Sequence, residues 1–227
     1  MPFPYILFTL LVIFWIQAFR QLCKYVCSQI AFSILSMVHW LFAFIYFQLI
    51  VSIELDKDVQ FKVFGNELTE IQMYFHVLTC SYFGFDIVAK FIKKQLNLWL
   101  FIHHGLTLLF IAVALSEKQS GCENIYILRY ATFCNVPMNL RDIFRALDLR
   151  QTISYHYLNC LYAIIYSFNF IFMLPMCLIQ FLYSNTINST IILLAFLCAQ
   201  ALYTIKKTHI PQFTKSSNFI IKNIRNY

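Results

Sequence analysis

Charge is scarce in this chain. Only 12% of its 227 residues are Asp, Glu, Lys or Arg, where an ordinary soluble domain carries about 25%. With 60% hydrophobic residues and a mean hydropathy of +0.67, this composition excludes a soluble domain of any size and implies an integral membrane protein. Metal-binding spacing is lacking as well. None of the eight cysteines stands in a CxxC or CxxH pair, which excludes the usual zinc and haem patterns. Cys23 and Cys27 share one helical face, and most of the others sit in apolar segments, where cysteine behaves as a small hydrophobe. The HxxxH and HxxHH boxes of a di-iron desaturase are missing, and no internal repeat or low-complexity segment is present. Gly and Ala are few beside Phe, Ile, Tyr, Asn and Lys, a mark of an AT-rich coding sequence. The net charge of +7 does not indicate nucleic-acid binding, because the basic residues are scattered between apolar segments and form no basic face.

What the chain does have is long apolar runs. Seven are marked, at about 4–19, 31–53, 70–94, 97–116, 123–147, 153–183 and 187–206. The first could pass for a signal peptide. It has no basic residue ahead of it and no A-x-A site, and Arg20 and Lys24 follow it, so it is expected to stay as an uncleaved first span. Charges between the runs alternate in sign. Thirteen basic residues gather on one side and three on the other, with Arg129 inside the fifth run. The positive-inside bias then puts the N-terminus outside and the C-terminus inside, with Trp15 and Trp99 at the inner interface. The expected division is a leading transmembrane helix and inner linker over 1–30, a transmembrane domain over 31–206, and a basic polar tail over 207–227. Asn188-Ser189-Thr190 is a glycosylation sequon, expected to lie too near the bilayer for use.

The fourth run, NLWLFIHHGLTLLFIAVAL, is the most informative, because His103 and His104 stand well inside it. Ionisable groups at membrane depth are costly and usually face a protein interior. A helix rises about 1.5 Å per residue, so position converts to depth. His39, Asp86, His103, His104, Asn139, Arg141, Asp142 and His156 all map to one layer, roughly 10 Å from the inner ends of their spans. His76 and Arg129 are the exceptions. This convergence points to one polar chamber open toward the inner side. Asp86 with Lys90 also fits a simple i, i+4 ion pair, and Arg141, Asp142 and Arg145 also fit an interfacial charge cluster. Adjacent histidines differ by about 100° around a helix, so His103 and His104 cannot share one metal. One is expected to face the chamber while the other bonds a neighbouring helix.

Four segments, in order, resemble the TLC-domain family of ceramide synthases, translocating-chain-associated membrane proteins and small TLC-domain proteins. Ser36–His39 resembles the SxxH of its opening span, and Ser81–Asp86 (SYFGFD) resembles its Tyr-Phe…Asp segment. Trp99–Thr107 (WLFIHHGLT) resembles its paired-histidine motif, and Asn135–Arg141 (NVPMNLR) a stretch of the smaller, non-synthase members. The resemblance covers about residues 31–206. It implies an all-α membrane fold of about seven spans, a six-helix barrel plus a leading helix. The barrel would accommodate a long lipid chain, with the histidines at its polar end. The second His-Asp motif of ceramide synthases has no counterpart, since 135–142 holds no histidine. Acyl transfer needs a general base with a partner acid, and Asp86 is the one obvious substitute.

Three functions follow as expectations. The first is binding or handling of a long-chain lipid without catalysis, with a phospholipid or similar molecule bound and neither metal nor cofactor. The second is an accessory subunit of a larger membrane complex, a respiratory one included, reusing the same fold. Its motive is that a polar tail such as 207–227 is normally ordered only when docked. The third is a degenerate acyltransferase using His103, His104 and Asp86. The resemblance implies the endoplasmic reticulum, with the mitochondrial inner membrane as the alternative.

Overall fold

A computed structural model of the chain describes residues 3–54, 67–118, 125, 128, 133–183 and 189–224. Four long helices come first: α1 (Phe3–Leu22), α2 (Ser28–Glu54), α3 (Glu70–Ile92) and α4 (Leu98–Glu117). Local chemistry fixes their ends. Thr69 and Gln72 form a capping box at the start of α3, each side chain accepting from the other's backbone N–H at 3.3 Å. Asn97 accepts from the Leu100 N–H at 2.8 Å and starts α4. Two shorter helices follow, α5 (Asn135–Ala146) and α6 (Ile153–Phe168). Pro137 is tolerated because it falls in the first turn of α5, where no helical acceptor awaits its missing N–H. Thr152 caps α6 by accepting from the Tyr155 N–H.

With α6, the described residues that follow form two long rods, each interrupted in the same way. In one, α6 passes through a π-helical turn (Asn169–Met173) into α7 (Leu174–Tyr183). In the other, α8 (Ser189–Thr204) passes through a π-helical turn (Ile205–His209) into α9 (Ile210–Ile224). A proline follows each π turn at the second position of the next helix, Pro175 in the first rod and Pro211 in the second. A proline inside a helix has no N–H for the carbonyl four residues back, and its ring clashes with that carbonyl. Widening the preceding turn relieves the clash and lets the rod continue.

Packing closes the rods into a ring. α2 lies against α3 on one side and α5 on the other; α5 packs on α6, α6 on α9, α7 on α8, α8 on α4, and α4 on α3. Chain order therefore runs from α2 through α3 to α4, then restarts on the far side of α2 and returns to α4. One cluster of buried side chains is drawn from almost every member of this ring: Phe47, Phe75, Phe110, Ile111, Ile125, Phe170, Leu174 and Ile205 belong to it. α1 stands outside the ring on α3 and α2. Its Trp15 is fully buried and its indole N–H donates to Ser81 Oγ at 3.3 Å. One turn on, Phe19 stacks on Phe32 of α2 with centroids 4.5 Å apart.

Among the described residues, five helices are long and apolar enough to cross a membrane: Pro4–Leu22, Ser28–Gln48, Glu70–Ile92, Leu98–Glu117 and Ile153–Met176. Large apolar side chains cover their outer faces, among them Ile13, Leu41, Ile45, Val88, Leu109, Leu161 and Ile164. Lipid tails are as apolar as these side chains, so close packing and polar bonds hold such helices together rather than the hydrophobic effect. The segment expected to be a polar tail is helical from Ile210 to Ile224 and lies along α6. Arg129 and Asn188 of the sequon lie outside the described residues.

Candidate functional site

Asp86 is the most deeply buried charge among the described residues, with no exposed side-chain surface. Its Oδ2 is 2.8 Å from Lys90 Nζ, one turn further along α3, and 3.1 Å from His104 Nδ1 on α4. A carboxylate at this depth persists only when matched by charge and hydrogen bonds, and it has one partner on each helix. Lys90 keeps part of its side chain exposed and passes over the Phe32 ring of α2 at 5.3 Å, the snorkelling expected of a lysine near an interface. His104 stands close to Asp86 but out of line for a hydrogen bond from Nδ1. Its ring meets Phe83 edge-on at 4.7 Å. His103 is half-buried beside it, the two imidazole centroids 5.6 Å apart. The adjacent histidines thus play different parts: His104 reaches the neighbouring helix and His103 does not share its carboxylate.

His39 of α2 belongs to the same group. It is buried, and its ring lies flat on Tyr82 of α3 with centroids 4.2 Å apart and 8° between planes. Trp15 and Phe83 meet it edge-on at 6.1 and 5.8 Å. Among the described residues, three buried atoms in this group have no hydrogen-bond partner: His39 Nε2, Asp86 Oδ1 and His104 Nδ1. They come from three different helices. Higher on α3, His76 Nε2 and Thr79 Oγ1 are also unpartnered, although His76 Nδ1 meets the Gln72 carbonyl at 2.7 Å. Buried polar atoms are rarely left bare, and several together call for a water or a ligand.

A second polar group lies across α2. The Asn139 amide donates to Ser36 Oγ at 3.0 Å and to the Asn135 carbonyl at 2.7 Å, so α5 is tied to α2 one turn from His39. Two residues on, Arg141 turns away from the group of histidines. Its guanidinium donates to Asp142 Oδ1 at 3.1 and 3.2 Å and covers the Tyr162 ring of α6 at 4.6 Å. Asp142 also forms an ion pair with Arg145 at 3.3 Å, and Arg145 reaches the Tyr155 hydroxyl at 3.5 Å. His209 completes the group, packed against Tyr162 and Tyr166 at 4.9 and 4.3 Å. His156 faces α9, with Nδ1 3.1 Å from Ser216 Oγ and its ring stacked on Phe219 at 3.9 Å.

The single layer expected from depth therefore resolves into two groups. His39, Asp86, His103 and His104 gather on α2, α3 and α4. Arg141 and Asp142 gather with Arg145, Tyr155 and Tyr162 on α5 and α6, and Asn139 links the two through Ser36. Sequence reasoning missed Tyr82, which supplies the platform for His39, and His209, Ser216 and Phe219. The tyrosine stands in plain view within the SYFGFD segment; nothing in hydropathy marks the other three. Among the described residues no group of three or more His, Cys, Asp or Glu side chains could hold a metal ion.

These features define an all-helical protein with several helices able to span a membrane and polar groups held between them. Comparison with protein-family models, with curated proteins and with solved structures finds no match in any of the three.

Proposed function

We propose that this is a TLC-like membrane protein of about seven spans that binds a long-chain lipid without turning it over. The ring of α2, α5, α6–α7, α8–α9, α4 and α3 around an apolar cluster supports the barrel reading. The observation that carries the lipid reading is the set of buried atoms without hydrogen-bond partners, His39 Nε2, Asp86 Oδ1 and His104 Nδ1, which stand by a second apolar cluster that includes Trp15, Phe32, Tyr82 and Phe85. A headgroup or hydroxyl of a lipid would satisfy them, and its chain would lie among the apolar side chains. The basic side of the chain faces inward in this reading, and the endoplasmic reticulum is its first membrane. The test is native mass spectrometry of protein released from a gentle detergent. A long-chain lipid should stay with the wild type and be lost from Asp86→Leu combined with His104→Leu. Retention of the same lipid by both proteins would remove the chamber from the reading.

A second reading rests on the His104–Asp86 pair. A carboxylate beside an imidazole can orient it and stabilise its charged form, which is the arrangement a degenerate acyltransferase would need. Acyl-CoA turnover by the wild type against His103→Ala plus His104→Ala decides it, since equal rates would eliminate catalysis. The accessory-subunit reading loses its motive, because α9 is docked on α6 of its own chain. It would regain weight if the purified chain were never monodisperse alone.

A further inference from the structure

The turn that joins α1 to α2 carries two cysteines four residues apart, Cys23 and Cys27. Their spacing suits one face of a helix, but α1 stops at Leu22 and α2 starts at Ser28, so neither belongs to a helix. Backbone bonds shape the turn. The Tyr25 and Val26 N–H groups both donate to the Leu22 carbonyl, at 2.9 and 3.0 Å, and the Cys27 carbonyl opens α2 by accepting from Ala31 at 3.0 Å. These bonds are all main-chain, so the turn does not depend on the thiols. Cys27 is the one exposed cysteine among the described residues, with Cys23 half-buried; Cys80, Cys134, Cys160 and Cys198 are buried or half-buried. Cysteine is among the residues most often withdrawn from water, so an exposed one at the end of two spans needs a chemical reason.

The surroundings are basic. Arg20 and Lys24 are exposed beside the cysteines, and the turn between α3 and α4 brings Lys93 and Lys94, also exposed. Gln95 joins the two turns, its amide donating to Ser28 Oγ at 2.8 Å. Burial pushes the Cys23 thiol up, and the Lys93 ammonium nearby opposes that shift. Four cations at one end of the helices mark the headgroup layer on the basic side, so the thiols lie where water meets hydrocarbon. A metal needs more than two thiols, and no group of three or more ligating side chains stands among the described residues. A disulfide does not persist where the compartment is reducing, as the cytoplasm is. Acyl transfer needs only a thiol at the membrane surface, the position at which juxtamembrane cysteines are S-acylated. We propose that Cys23 and Cys27 are S-acylated with long-chain fatty acids. The thiolate adds to the thioester carbonyl of a fatty acyl-CoA, the bond from that carbonyl to the CoA sulfur breaks, and CoA leaves with the proton that the cysteine gave up. Arg20, Lys24, Lys93 and Lys94 attract the anionic CoA, and the acyl chain enters the leaflet that the exposed Leu10, Ile13 and Phe14 of α1 meet. Among the described residues of α1 only Trp15 and Phe19 are buried, so the added chains help to hold a helix that stands outside the ring. S-acylation here requires the basic side to face the cytoplasm, as in the proposed orientation, and is independent of the lipid chamber.

The experiment takes the full chain in membranes of the cells that express it. Free thiols are blocked, thioesters are cleaved with neutral hydroxylamine, and each thiol so released takes a maleimide polymer of fixed mass. The wild type is expected to gain two such masses, Cys23→Ser or Cys27→Ser alone one, and the double variant none. Cells fed an alkynyl palmitate should label the wild type and leave the double variant unlabelled. Cys27 is exposed, so Cys27→Ser should melt like the wild type and lose one mass even if Cys23→Ser fails to fold. Sealed vesicles treated with a membrane-impermeant maleimide after hydroxylamine report which side the turn faces. Labelling of Cys27 from the basic, inner side with no hydroxylamine-dependent mass overturns S-acylation and leaves the orientation standing. Labelling only from the opposite side overturns both. A mass gain that persists in the double variant also overturns the assignment, because another cysteine then carries the chain.

Discussion

Two polar groups flank α2, and they manage charge in opposite ways. On the α3–α4 side a single carboxylate is fully buried, and each of its partners comes at short range: Lys90 at 2.8 Å and His104 at 3.1 Å. On the α5–α6–α9 side cations outnumber Asp142, and the surplus pair, Arg150 and Lys215, sits exposed at the rim of a cavity. The difference follows from solvation. A charge withdrawn from water must be neutralised where it stands, whereas a partly wet charge can remain uncommitted. The first group is thus a closed ionic joint with a few bare polar atoms beside it, and the second is open and positively biased.

The largest effect should come from breaking the closed joint. Lys90→Met leaves Asp86 facing only His104, and losing one partner of a buried pair costs about 3 kcal/mol. Thermal unfolding in detergent reads this directly. Adding Asp86→Leu should restore most of the loss, because removing both charges leaves none stranded. A silent Lys90→Met would mean that the joint does not hold α3 and α4 together.

The link between the groups comes next. Asn139→Ala deletes an amide that bonds both Ser36 and the Asn135 carbonyl, for a loss of about 1–2 kcal/mol. Combined with Ser36→Ala in a double-mutant cycle, the coupling should be about 1 kcal/mol. Additive single effects would show that α5 is held to α2 by packing alone, and the two groups would then be independent.

Much of the first group is legible in the amino-acid order alone. Counting residues from the inner ends of the apolar runs brings His39, Asp86 and His104 to one depth, and the 100° between adjacent histidines separates their roles. Helix packing then needs only neighbouring α2, α3 and α4 to bring them together. The second group is half legible. Arg141, Asp142 and Arg145 stand out as charges at the end of a run, but their neighbours on α9 do not. The reason is that α9 is patterned the wrong way round for a soluble helix. The buried positions in and just before it include His209 and Ser216, while Ile210, Phe213, Ile221 and Ile224 are exposed. A reading that seeks apolar residues inside takes such a segment for a polar tail. The π turns do carry a signal, since Pro175 and Pro211 each fall inside a run of helix formers with no glycine around them.

The smallest effect separates charge from shape in the open group. Arg141 makes two bonds to Asp142 and lies over Tyr162 at 4.6 Å. Arg141→Lys keeps the charge but loses the planar face and the fork, which are not interchangeable with an ammonium. A loss of about 0.5–1 kcal/mol is expected, similar to that of Tyr162→Leu beyond its packing. A cycle of the two substitutions should show coupling of the same size, because each removes the same contact. If Arg141→Lys were neutral while Arg141→Met was not, the site would require only a positive point, as an open, salt-responsive cluster does. A cost as large as that of Lys90→Met would instead place Arg141 in a joint as closed as the one around Asp86, and the contrast between the two sides of α2 would collapse.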